Sequence, residues 1–131
     1  KAVTFPTDAR LLHKARIALV RLAQRQGIAL RQSYERVGKA AFVRSQRYAH
    51  ARQINRANAQ TRKLRTYLGR IIRDIERKRT IDEPTPSRMI KLLQVATRIH
   101  TQPRKRSEGD SPKLYSVHAS EVECIAKGKA H

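Results

Sequence analysis

The stretch Thr61–Lys78 carries the residue pattern with the clearest chemistry. At about 100° of helix per residue, Arg62, Lys63, Arg70, Arg73 and Arg77 fall on one side. A row of guanidinium and ammonium groups at that spacing suits phosphate oxygens. An Arg fork meets two such oxygens at once, which Lys does not. Arg44 and Arg47 in the preceding stretch, and Lys127 and Lys129 near the C-terminal end, extend the candidate nucleic-acid-binding set. Arg10, Lys14, Arg21 and Arg25 give a lesser basic face. Asp74 and Glu76 are the acids within the stretch and read as partners for nearby Arg.

Other chemistries are weaker. Asp8 reads as a helix-start charge, and Asp82, Glu83, Glu108 and Asp110 sit in loop-like segments. Glu121 and Glu123 share one strand face and could meet a divalent cation, but a solvated strand edge explains them more simply. His13, His50, His100, His118 and His131 have no metal-ligand spacing. His118 and Cys124 could pair as base and nucleophile, yet nothing nearby would stabilise an oxyanion. The glycines are scattered singly, and Lys127-Gly-Lys129 lacks the upstream Gly of a phosphate loop. No complete active site is legible. Tyr48 and Tyr67 lie beside arginines and could stack on bases, although buried tyrosines are the commoner case.

The elements that must hold the basic row follow from apolar periodicity. Leu64, Leu68, Ile71, Ile72 and Ile75 recur at three- and four-residue steps, so this helix has an oily side opposite its cationic one. Asp8 to about Gln26 predicts a first helix with the stripe Leu11, Ala15, Ala18 and Leu22, widened by Leu12 and Leu19. Thr7 is its expected N-cap, and Gly27 its left-handed C-terminal residue. Ile28–Arg31 reads as a connector. Helix signals return from Ser33, with Tyr34, Val37 and Ala41 on one face and Phe42, Tyr48 and Ile54 available for packing. Gly38 costs that helix about 1 kcal/mol relative to Ala. The break before the Arg-rich helix falls at Gln53–Ala59, or one long helix runs on.

The Arg-rich helix is expected to end by Thr80, followed by an Asp82-Glu83-Pro84 linker. Thr85 then caps a last helix with Pro86 at its first position. Met89, Leu92, Leu93, Ala96 and Ile99 form its stripe, and Pro103 ends it. Residues 103–112 read as a loop. Residues 113–131 read as two short strands, where Leu114–Ile125 alternates, followed by a basic tail. Lys1–Phe5 reads as a strand end. The domain is thus mainly α, with helices over 7–102 and a short C-terminal β-hairpin.

Charge narrows the partner. The chain of 131 residues has 30 Lys and Arg against 10 Asp and Glu, a formal +20. Residues 1–79 hold 21 basic and 4 acidic residues, net +17, and the remainder 9 and 6, net +3. Solvated helix faces usually mix both signs; an excess this one-sided implies a polyanion. Cys124 stands alone, which excludes a disulfide framework within the chain. No run approaches the roughly 20 apolar residues of a membrane helix. A reducing cytoplasmic setting fits. The sole Met is Met89 and the chain begins at Lys1, so a fragment of a longer protein is expected.

Several stretches carry a resemblance. They are Phe5-Pro-Thr-Asp-Ala-Arg-Leu-Leu-His-Lys-Ala-Arg16, Leu30-Arg-Gln-Ser-Tyr34, Arg62-Lys-Leu-Arg-Thr-Tyr-Leu-Gly-Arg-Ile-Ile-Arg-Asp74, and Lys113-Leu-Tyr-Ser-Val-His-Ala-Ser-Glu-Val-Glu-Cys-Ile-Ala-Lys-Gly-Lys-Ala-His131. In these the chain resembles the DDE-type transposases of bacterial insertion sequences, over essentially its whole length. The resemblance implies a helical segment of a ribonuclease-H-like α/β core. It implies Mg²⁺-dependent strand cleavage and joining in the intact enzyme, with transposon-end DNA as partner and a homo-oligomer as an option. The family's first Asp would precede Lys1, and its second Asp and Glu would follow His131. None of the three maps here, so the piece itself would hold no catalytic residue and no cofactor. Ser120 and Ala126 stand where relatives often have Pro and Gly. A basic structural RNA-binding protein, such as a ribosomal component, is the alternative; a helical oligomerisation module is a third reading.

Overall fold

The structure, a computed structural model, describes residues 8–79 and 85–102. These form α1 (Asp8–Arg25), α2 (Glu35–His50), α3 (Ile54–Lys78) and α4 (Ser87–Thr101). Helix α3 packs against the other three, and α1 also packs against α2 and α4. The core is aliphatic. Leu11, Leu12 and Leu19 of α1 meet Leu64, Leu68, Ile71 and Ile75 of α3, and Met89, Leu92 and Ile99 of α4. Every stripe residue expected on α1 and α4 is buried.

A ribonuclease-H-like α/β core is not what these residues build. Among the described residues every element is a helix, and α3 buries its apolar side against helices rather than a sheet. The physical reason is that α1, α3 and α4 each carry an oily stripe, and these three bury one another's. The expected hairpin at 113–131, the loop at 103–112, the strand end at 1–5, the Thr7 cap and the Asp82–Pro84 linker lie outside the described residues.

Helix ends follow local chemistry. Past Arg25, Gly27 takes φ +72°, a left-handed turn. The Ile28 N–H then closes back on the Ala23 carbonyl at 2.9 Å. Helices α2 and α3 make a hairpin whose turn is Ala51–Gln53, with Arg52 at φ 62°. The break therefore precedes most of the Gln53–Ala59 interval. Thr85 does not cap α4: its hydroxyl accepts from Arg79 Nε at 3.0 Å, and Pro86 stands at the N-cap.

Helix α2 also turns a different side inward. Of the expected face Ala41 is buried, but Val37 is 47% exposed, and Gly38 and Ser45 take the inward places beside Ala41; Ile54, which opens α3, is 54% exposed. Gly38 explains the rotation. A Cβ there would lie 2.8 Å from the Arg16 guanidinium, so the bare glycine makes room for that side chain between α1 and α2. Arg16 is 2% exposed. It donates to the Ser33 carbonyl at 3.0 Å and approaches His13 Nδ1 at 3.3 Å.

His13 stacks on Phe42, with ring centroids 4.5 Å apart. Burial, then the charges of Arg16 and Lys39, lower its pKa from 6.5 to about 4. The unfolded chain therefore takes up this proton first on acidification. Stability is expected to be full above pH 6.5 and to fall towards pH 4. His100, also lowered by burial and by Arg65 and Arg73, adds in the same direction. Urea midpoints across that range check this. His13→Gln should flatten part of the slope and leave the His100 part.

Candidate nucleic-acid interface

Helix α3 presents its basic row as the spacing predicts. Arg62, Lys63, Arg70, Arg73 and Arg77 are all exposed, while Leu64, Leu68, Ile71 and Ile75 point into the core. Both faces arise from one 25-residue helix, so the depth of the apolar side fixes the direction of the cationic side. Arg65 lies on the flank. It donates to the carbonyls of His100 and Gln102 at the C-terminal end of α4, where a cation meets the negative helix end. Gly69 permits that approach: a Cβ there would lie 2.6 Å from His100 Nε2.

Neutralisation is slight. Arg77 pairs with Asp74 at 3.3 Å but stays 57% exposed. Glu76 is held by Arg79 at 2.8 Å, off the row. Among the described residues, no carboxylate pairs with Arg62, Lys63, Arg70 or Arg73. Exposed ion pairs of this kind contribute little to stability, so the row is not explained as a stabilising network.

The structure gathers part of the row into a cleft. Arg70, Arg73 and Arg77 line a cavity of about 330 Å³ together with Arg31, Gln32 and Tyr34 from the α1–α2 connector, and Asp74. Asp74 is 4% exposed. Its Oδ2 accepts from the Arg31 backbone N–H at 2.7 Å, and its Oδ1 lies 3.3 Å from both Arg77 and Lys78. The Arg31 N–H, ahead of the two cations, keeps the Asp74 carboxyl below the usual carboxylate range despite burial. Lys78 also donates to the Ala29 carbonyl. The connector is thereby pinned to α3, and Arg31 is held beside three arginines distant in sequence.

Arg31 and Tyr34 are the site residues that sequence spacing did not reveal. The available signal was indirect: an acid inside an apolar-flanked helix, facing a segment too short to pair by itself. Tyr34 adopts φ 58°. Its ring stacks on Tyr67 at 4.9 Å, and the Arg70 guanidinium lies 5.9 Å from its centroid. Tyr67 is thus half-buried against another ring, and Tyr48 sits under Arg56.

The remaining candidates are more dispersed. Arg62 and Lys63 stand on α3 two turns before the cleft, about 12 Å along the axis at 1.5 Å per residue. Arg44 and Arg47 are exposed one turn apart on α2 and do not line the cleft. Lys127 and Lys129 lie outside the described residues. A second, larger groove of about 500 Å³ runs between α1 and α2, but Ile17, Val20, Phe42 and Val43 make it mainly apolar.

Asp74 is committed to one N–H and two cations, and Glu76 to Arg79. No three His, Cys, Asp or Glu residues come together to hold an ion among the described residues. No described helix is long and apolar enough to cross a membrane.

No family model matches the chain, and no solved structure does. The chain is similar to the uncharacterized protein ORF8 in nfe locus of Rhizobium meliloti, 60% identical over 53 residues. Those residues make up 40% of this chain and 26% of that relative. The match thus spans about a quarter of the relative's length.

Proposed function

We propose that this chain is a DNA-binding helical module of a bacterial transposase, with the exposed row of α3 on the phosphate backbone. One observation carries the reading. Arg70, Arg73 and Arg77 converge with Arg31, while the one carboxylate among them is already engaged. A face kept cationic in this way suits a polyanion, and Arg matches phosphate geometry better than Lys. The sequence resemblance to insertion-sequence transposases selects DNA, transposon ends in particular, from among polyanions. In that reading Mg²⁺ and the cutting carboxylates belong to the intact enzyme. The setting is the bacterial cytoplasm, on the nucleoid.

Arg44, Arg47, Arg62 and Lys63 extend the contact surface beyond the cleft, as Lys127 and Lys129 do in the sequence. Affinity for a 20-bp duplex, followed by fluorescence anisotropy, should fall steeply with salt. Five or six phosphate contacts give a log–log slope of roughly −5, at about 0.9 per contact. A slope near zero would reject the proposal. A duplex RNA of the same sequence bound more tightly than the DNA would transfer the site to RNA.

A further inference from the structure

The cleft differs from the rest of the basic row in being concave. Four arginines, Arg31, Arg70, Arg73 and Arg77, line it with one acid, Asp74. That carboxylate faces its own partners: the Arg31 N–H at 2.7 Å, and Arg77 and Lys78 at 3.3 Å each. Among the described residues, no carboxylate pairs with the guanidinium of Arg31, Arg70 or Arg73. The volume, about 330 Å³, lies at the small end of ligand pockets, which run from about 300 to 1,000 Å³. A recess of that size also admits one small anionic group, so the arginines that lie along a duplex backbone can close on the end of a strand.

A phosphodiester inside a duplex has one charge, two open oxygens, and a neighbour on either side along a convex ridge. A phosphate monoester has a charge of about −1.5 to −2 at pH 7 and three open oxygens. It also ends its chain, so it can enter a recess. Two Arg forks satisfy more oxygens on a monoester than on a diester. The cleft walls are held in place, because Asp74 and Lys78 tie the Arg31 connector to α3. The connector backbone is therefore already placed, and the exposed guanidiniums are what the anion orders when it arrives.

We infer that the Arg31–Arg70–Arg73–Arg77 cleft is a phosphate-monoester site, built to hold the terminal phosphate of a DNA strand. This rests on the DNA-binding reading and adds end recognition to it. Free inorganic phosphate offers the same chemistry and is the competing source.

The test uses the full chain and one blunt duplex, prepared with 5′-phosphates or with 5′-hydroxyls, at fixed salt. The phosphorylated duplex should bind at least fivefold more tightly. Arg31→Gln and Arg73→Gln, made separately and checked for unchanged helicity, should each reduce that preference to below twofold. Binding of the hydroxyl duplex should fall by no more than the roughly fivefold of one lost contact at about 1 kcal/mol, and that of the phosphorylated duplex by at least about 2.5-fold more. Inorganic phosphate at millimolar concentration should erase the preference, whereas chloride at equal ionic strength should leave it. Equal binding of the two duplexes, or a preference that survives both substitutions, would overturn the inference. Inorganic phosphate that raises the melting temperature while the duplexes bind equally would assign the cleft to the free anion and also overturn it. If neither duplex binds at low salt, the broader DNA reading fails instead, so the two failures are told apart.

Discussion

The triple substitution Arg70→Gln, Arg73→Gln, Arg77→Gln should lower affinity for duplex DNA on the order of 100-fold at moderate salt. A charge-assisted hydrogen bond contributes about 1.5–3 kcal/mol when well placed, and exposed contacts fall at or below the low end. Three of them at about 1 kcal/mol each correspond to roughly two factors of ten. The fold should survive. All three side chains are exposed, and surface substitutions usually stay within about 0.5 kcal/mol. Removing three like charges also relieves self-repulsion in a chain of net +20. Losing the Arg77–Asp74 contact costs little, because Lys78 and the Arg31 N–H still hold the carboxylate. Anisotropy titrations give the affinity, and thermal melting provides the control. An affinity change below threefold would mean that DNA, if bound, meets another surface.

Leu68→Ala should do the reverse, breaking the fold before it touches the binding chemistry. Leu68 is fully buried in the middle of α3, within a cluster fed by α1 and α4. Such truncations cost about 2–5 kcal/mol, the removed methyl groups plus the cavity left behind. A domain has only about 5–15 kcal/mol in hand, so the variant should melt many degrees lower or fail to fold. The smaller stripe residue Ala15, equally buried, offers no comparable loss. Urea denaturation of wild type and Leu68→Ala checks this, and a difference under 1 kcal/mol would contradict the central place given to α3. Folded Leu68→Ala should bind DNA as the wild type does. The two substitutions together separate the oily side of the helix from its cationic side.

How much of this the sequence carried depends on the kind of information involved. The stripes of α1, α3 and α4 are periodic, and burial in the structure follows them, except that Ile72 at the edge of the α3 stripe is only half-buried. The direction of the basic row was legible for the same reason, being the far side of a helix whose near side is Leu and Ile. Helix α2 was misread at Val37 because its inward face is chosen by a missing side chain. Gly38 admits Arg16, and no apolar period records that. The α2–α3 break depends on a left-handed turn at Arg52, a conformation that an Arg side chain does not advertise. Arg31 was invisible because a backbone N–H places it against Asp74, a contact 43 residues apart in sequence. The α/β core implied by resemblance failed for a different reason. It was carried by a likeness of wording to transposases, whereas the described helices close around one another.

The measurement that bears most directly on the account is the salt slope of DNA binding, compared between the wild type and the Arg70, Arg73, Arg77 triple Gln variant. If these guanidiniums sit on phosphates, each lost contact removes about 0.9 from the slope, so the variant should be shallower by about 2.7. Parallel lines, with affinity lost equally at every salt concentration or not lost at all, would show that the arginines of α3 do not grip the backbone.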